Sequence, residues 1–195
     1  MFLNRAKRVR IQTERMILRL PAMQDHAAWV RTRRDSEEFL KPWEPIREGE
    51  MNSRAAFKHR VRWAAKEAEA GRACPLLLIR REDNQVLGAL TLDNIRRGPA
   101  RAGTIGYWIG KDFARQGYME EALLALVNYA FTALDLSRLE AACLPENAPS
   151  RSLLEKAGFK YEGVAQSYLQ IAGRWRTHVL YANLRHDRRG RTQSS

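Results

Sequence analysis

Apolar and polar residues follow two different periods along this chain, and the change of period marks its elements. Alternation, or a short continuous apolar run, predicts strands over Arg8–Leu20, Pro75–Arg80, Gln85–Leu92, Thr104–Ile109, Arg138–Leu144, Lys160–Ile171 and Arg174–Leu184. Helical spacing predicts helices over Met23–Phe39, Ser53–Ala70, Gly117–Leu134 and Pro149–Ala157. In the third of these, Leu123, Leu126, Val127, Ala130 and Leu134 fall on one stripe. Ser53 and Gly71 bound the second helix as start and stop signals. Glu82-Asp83-Asn84 and Ala172-Gly173 read as hairpin turns, and Leu40-Lys41-Pro42-Trp43-Glu44-Pro45 as a loop.

The predicted order is strand, two helices, three strands, helix, strand, helix, two strands. That order belongs to an α/β fold, a mixed sheet of about seven strands with helices on both faces. The strand–helix–strand tract across residues 104–144 requires a parallel crossover. No repeat, low-complexity block or linker divides the chain, so one domain is expected over residues 8–185, with basic tails at 1–7 and 186–195.

Composition narrows the class. The 195 residues are 45% hydrophobic and 29% charged, as in a soluble globular protein. The longest apolar run, Pro75-Leu76-Leu77-Leu78-Ile79, is far short of the roughly 20 residues of a membrane span. No apolar segment follows the charged start, Met1-Phe2-Leu3-Asn4-Arg5-Ala6-Lys7-Arg8, so a cytoplasmic protein without membrane partners is expected. Two cysteines, Cys74 and Cys143, and four scattered histidines predict neither a disulfide scaffold nor a metal site. Net charge is +12, part of it in Arg5, Lys7, Arg8 and Arg10 and in Arg185, Arg188, Arg189 and Arg191. Solvated ends and attraction to a polyanion, RNA or a phosphorylated cofactor, both fit that charge.

Two stretches carry candidate chemistry. In the first, the strand ending Gly106-Tyr107-Trp108-Ile109-Gly110 turns through Lys111–Gln116 into a helix that opens at Gly117. Free backbone N–H groups at such a helix start form an anion cradle, helped by the helix dipole and by Arg115. Gly117 lets a phosphate reach the backbone without a Cβ in the way. The signature of a nucleotide-triphosphate loop is missing. In the second stretch, Asn147-Ala148-Pro149-Ser150 precedes Leu153, Leu154 and Gly158-Phe159. Asn147 fits a helix cap, and the Ser150 hydroxyl could protonate a departing thiolate.

Together these stretches resemble the GCN5-related N-acetyltransferase (GNAT) superfamily, and more narrowly its RimJ/RimL branch. The resemblance runs from about Arg10 to Leu184. It includes the loop Leu40–Pro45, Asn94-Ile95-Arg96-Arg97-Gly98, Gly117-Tyr118-Met119, Glu162-Gly163, Tyr168-Leu169 and Gly173-Arg174-Trp175-Arg176-Thr177-His178-Val179-Leu180. It implies a GNAT-type sheet, splayed between the strand ending near Ile109 and the one beginning near Arg138, with coenzyme A in the gap. It implies acetyl-CoA as cofactor without a metal. By position, the backbone of Arg115, Gln116, Gly117, Tyr118 and Met119 would hold the pyrophosphate. The strand at Trp108 and Ile109 would pair with the pantetheine arm, and Asn147 would hold a pantetheine amide. Ser150 would be the proton donor to sulfur. Trp43 would wall the acceptor mouth with Tyr168, and Glu44 would face the incoming amine.

The chain departs from the family pattern at Ala114, where the loop motif has Gln or Arg, and at Met119, where it has a small residue. Thr177 stands where the branch often has aspartate. Ser167 occupies a place where the branch carries a carboxylate credited as general base, which leaves Ser167 able to order a water but not to take the proton. The implied activity is acetyl transfer to a protein N-terminal α-amine, on the RimJ side of the branch the alanine N-terminus of a small-subunit ribosomal protein. An amine would attack the thioester directly, without an acyl-enzyme, because neither cysteine is expected beside a histidine in the cleft. The basic surface would serve ribosome or rRNA contact. Acetylation of a small-molecule amine, or ribosome assembly through RNA binding, are the rival readings.

Overall fold

The period-two stretches pair into one sheet, and the computed structural model describes residues 9–46, 49 and 51–186 of the chain. Of the basic tail residues, Arg5, Lys7, Arg8, Arg188, Arg189 and Arg191 lie outside the described residues. The strands are β1 (Arg10–Gln12), β2 (Met16–Arg19), β3 (Cys74–Arg80), β4 (Val86–Arg96), β5 (Ala102–Ile109), β6 (Arg138–Cys143), β7 (Lys160–Ile171) and β8 (Arg174–Leu184). The helices are α1 (His26–Asp35), α2 (Glu37–Leu40), α3 (Arg54–Glu69), α4 (Tyr118–Thr132) and α5 (Ala148–Lys156). Strand order is β1-β2-β3-β4-β5-β6-β8-β7. Among the described residues only β5 and β6 pair in parallel, and α4 is the crossover between them.

Both faces of the sheet are covered, which is why β3 reads as an unbroken apolar run rather than an alternation. On one face α4 buries Leu123, Leu126 and Ala130 against Leu18, Leu76, Leu78, Leu90 and Ile105, with Val127 and Leu134 partly covered. Each such leucine contributes about 1.5–3 kcal/mol by leaving water. Leu154 and Phe159, in α5 and just after it, extend the same core. On the other face Trp29 of α1 and Phe57 of α3 cover Leu77, Ile79 and Val86.

Three elements differ from expectation. The single strand over Arg8–Leu20 is a hairpin, since the Thr13 N–H donates to the Met16 carbonyl at 3.0 Å and the chain reverses at Thr13–Arg15. Among the described residues the sheet therefore has eight strands. The helix over Met23–Phe39 stops at Ser36, whose hydroxyl accepts from the Lys111 N–H at 2.9 Å, and resumes as the one-turn α2. The loop Leu40–Pro45 contains a 3-10 turn over Lys41–Trp43.

Gly88 of β4 faces Ile109 of β5, and a Cβ there would lie 2.3 Å from the Trp108 carbonyl oxygen. That atom is backbone and cannot step aside. Gly88→Ala should therefore lower Tm by roughly 3–10 °C. Gly106→Ala, which meets nothing within 4 Å, should stay within about 2 °C of wild type. Equal melting of the two variants in calorimetry would refute the close approach of β4 to β5.

Candidate active site

The parallel ladder runs from Ala102↔Arg138 to Ile105↔Ala141 and goes no further. Yet β5 continues to Ile109 and β6 to Cys143. Beyond the ladder, Gly106–Ile109 stay bonded to β4, and Ala142 and Cys143 to β8. The sheet divides into two wings with a slot between them, at the place the sequence predicts.

One side-chain hydrogen bond spans this slot. The Tyr107 hydroxyl on β5 lies 2.8 Å from Ser150 Oγ on α5. Burial raises the Tyr107 hydroxyl well above the ordinary tyrosine value, with Ser150 opposing, so it stays protonated at neutral pH. Tyr107 is absent from the sequence prediction. Period-two alternation does contain the signal, because the neighbour of Trp108 must point to the opposite face, toward α5. Asn147 caps α5, its Oδ1 accepting from the Ser150 N–H at 3.1 Å, with Pro149 in the first turn. Cys143 ends β6 beside Ser150. Burial pushes its thiol up, and a hydrogen bond with Ser150 offsets part of that.

At the other end of the slot lies the cradle. Gly117 precedes α4 at φ 79° and Arg115 has φ 62°, both in the left-handed region. The first intrahelical bond runs from the Glu121 N–H to the Gly117 carbonyl at 3.0 Å. The N–H groups of Tyr118, Met119 and Glu120 precede that ladder. The side chains of Tyr118 and Met119 are buried in the core, so their backbones alone face outward. Gln116 turns its amide back to the Asp112 carbonyl at 2.6 Å. Over this loop sits Arg15, also missed from sequence, from the β1–β2 turn. It donates to Glu121 at 2.6 Å and to the Gln116 carbonyl at 2.8 Å, and lies 4.3 Å from the Tyr118 ring centre. Burial raises the Glu121 carboxyl, but hydrogen bonds from Thr13 and Arg15 outweigh it and hold it below the ordinary glutamate value. This clasp therefore stabilises the loop above the usual glutamate range and is lost as pH falls through the lowered value.

The opposite face of the slot carries Trp108. Its indole meets Trp29 edge-on at 5.1 Å, and the Arg33 guanidinium lies 4.7 Å over it. The sequence predicts Glu44 facing an incoming amine; the structure places its carboxylate on Arg33 instead, in a bidentate pair at 2.8 and 2.6 Å. The Glu44 carbonyl also accepts from the Ala172 N–H at 2.9 Å, and Gly173 packs on Ile46. Glu44 thus joins α1, its own loop and the tip of the β7–β8 hairpin. Trp43 is half-buried in the turn before it. Ser167 has φ 47° and lies exposed where β7–β8 pairing is interrupted between Ala165 and Leu169. Tyr168 is half-exposed, its ring 5.6 Å from His178.

A groove of about 530 Å³ lies elsewhere, between α4 and the far ends of β7 and β8, lined by Leu124, Val127, Phe131, Lys160 and Leu184. It presents neither a helix start nor the Tyr107–Ser150 pair. Among the described residues no group of three or more His, Cys, Asp and Glu is placed to hold a metal ion. No described helix is long and apolar enough to cross a membrane.

Residues 15–160 match the family model described as an acetyltransferase (GNAT) domain. The [ribosomal protein uS5]-alanine N-acetyltransferase of Escherichia coli is 33% identical over 177 residues, 90% of each chain. A ribosomal-protein-S5-alanine acetyltransferase from Vibrio fischeri superposes with a TM-score of 0.86 at 27% identity, covering 93% of this chain and 100% of that one. RimJ of Mycobacterium smegmatis, solved in complex with CoA-disulfide, superposes with a TM-score of 0.83 at 34% identity, covering 89% and 83%.

A Gly117→Asp substitution places a Cβ where Arg15 would be 3.2 Å away, in a φ that side chains rarely adopt, and adds a negative charge at the cradle. Calorimetry with coenzyme A should show affinity reduced by about tenfold or more in a folded variant. Unchanged affinity would remove the loop from the cofactor site.

Proposed function

The chain belongs to the GNAT acetyltransferase family and is an acetyl-CoA-dependent N-acetyltransferase; on that premise we propose that its acceptor is a protein N-terminal α-amine, the alanine of a small-subunit ribosomal protein. The observation that carries this reading is the 33% identity to a uS5-alanine N-acetyltransferase across 90% of both chains.

In this reading residues 8–185 form the transferase domain and the protein works in the cytoplasm. The backbone of Arg115–Met119 holds the pyrophosphate beside Arg15. The slot-facing backbone of Trp108 and Ile109 pairs with the pantetheine arm, a strand-addition type of recognition. The Nδ2 of Asn147, left over from capping, serves a pantetheine carbonyl. Trp43 and Tyr168 line the acceptor mouth, and Glu44 shapes it through Arg33. Lys58, Arg62 and Lys66 on the exposed side of α3 supply positive charge for rRNA contact that does not depend on the tails.

The amine attacks the thioester carbon, a slot-facing N–H of β5 steadies the oxyanion, and the carbon–sulfur bond breaks as Ser150 protonates sulfur. Tyr107 can return a proton to Ser150 through their shared hydrogen bond. Transfer is direct, because burial raises the Cys143 thiol and leaves it a poor nucleophile.

An α-amine ionises near about 7.7–8.0 and a lysine amine near about 10.4. At neutral pH the α-amine already has a reactive neutral fraction. A peptide beginning with alanine should therefore be acetylated at its N-terminus well above any lysine, as mapped by tandem mass spectrometry. Equal or faster modification of lysine side chains would overturn the assignment.

A further inference from the structure

We propose that His178 is the base that takes the proton from the attacking amine, a role that rests on the acetyl-transfer reading above. Val179 pairs with Cys143, so continuing that register puts His178 opposite Leu144, at the level where β6 ends and the slot is open. Val179 and Tyr181 belong to the core under α4 and α5. Alternation then points the His178 side chain to the other face. Trp108 points to that face too, since Tyr107 reaches Ser150 on the first. His178 and Trp108 therefore flank the slot on one side, opposite the Ser150 pair. An amine entering between them reaches the thioester from the face away from the departing sulfur's proton donor.

The ring is set up as a base. Its Nδ1 lies 3.0 Å from the Arg176 carbonyl. A carbonyl only accepts, so Nδ1 carries the proton and Nε2 keeps the lone pair. Among the described residues Nε2 has no hydrogen bond, while no sealed side-chain nitrogen or oxygen is left without a partner. Nε2 thus still meets solvent although the residue is only 2% exposed. The Tyr168 ring from β7 stands edge-on at 5.6 Å and holds the imidazole in place.

The other groups around the mouth are poorer bases. Both oxygens of Glu44 are bound by Arg33. Glu146, in the loop after β6, pairs with Arg176 of β8; its own backbone hydrogen bond and Arg176 outweigh burial and hold it below the ordinary glutamate value. Ser167 is an alcohol. The charged and titratable neighbours of His178 are thus Glu146, Arg176 and the Tyr168 hydroxyl, with the Glu44–Arg33 pair across the mouth.

Atoms balance without a further reactant. The amine lone pair forms the C–N bond, its proton passes to His178 Nε2, the C–S bond breaks, and sulfur takes a proton from Ser150. His178 then releases its proton to water and Ser150 takes one back from water, which restores both groups.

The test uses the full chain and whichever acceptor wild type acetylates fastest among an alanine-starting peptide, a lysine peptide and a small amine. Preference for lysine would sink the N-terminal reading while leaving the His178 comparison intact. For wild type, kcat should fall on the acid side as the base becomes protonated. In His178→Gln, kcat should drop by about 10²-fold or more, with the KM for acetyl-CoA within about twofold, and the acid limb should vanish. The role is overturned if His178→Gln keeps kcat within about threefold, or keeps the limb. It is also overturned if wild type has no such limb, a measurement that needs no variant to fold. His178→Ala with added imidazole adds an arm in which recovery of turnover supports the base and its absence counts against it.

Discussion

A parallel strand pair that stops short is the constraint on which the rest of this structure depends. After Ile105 and Ala141, β5 and β6 exchange no ladder bonds, although both strands continue. Unpaired backbone is costly unless something else satisfies it. A slot of this kind persists only because each wing is held from its far side, by β4 and by β8. The close fit of Gly88 under Trp108 is part of that support, and so is the Tyr107–Ser150 bond across the gap. A backbone edge open to water and flanked by rigid strands suits an extended ligand with its own amides.

Two arginines organise the ends of this slot. Arg15 clasps the start of α4, where the helix dipole and free N–H groups favour an anion. Arg33 lies flat on Trp108 and binds both oxygens of Glu44, each side chain largely buried. Breaking a pair of that kind by removing one partner leaves a charge without its counter-ion, which is far costlier than losing a surface pair. The Glu44 loop is therefore a fixed wall rather than a loose segment.

Much of this was legible in the chain. The apolar stripe of α4, the β3–β4 hairpin, the crossover and the glycine at the helix start all follow from local spacing. What escaped depends on distance. Arg15 and Glu121 are 106 residues apart, and neither carries a local sign of the other. Ser36 is an ordinary helix residue until its hydroxyl accepts from Lys111, 75 positions on. The reversal at Thr13–Arg15 lacks the glycine, proline or asparagine that marks most turns. Residue types alone made Glu44 look like a free acid at the mouth; its bond to Arg33 is visible only in three dimensions.

The most direct test of the divided sheet as cofactor site is hydrogen exchange on the full chain with and without coenzyme A. The account predicts added protection at residues 106–109, 115–121 and 142–150, with the α4–β8 groove unchanged. Protection confined to that groove, around Leu124, Phe131 and Leu184, or none in the slot segments, would contradict it.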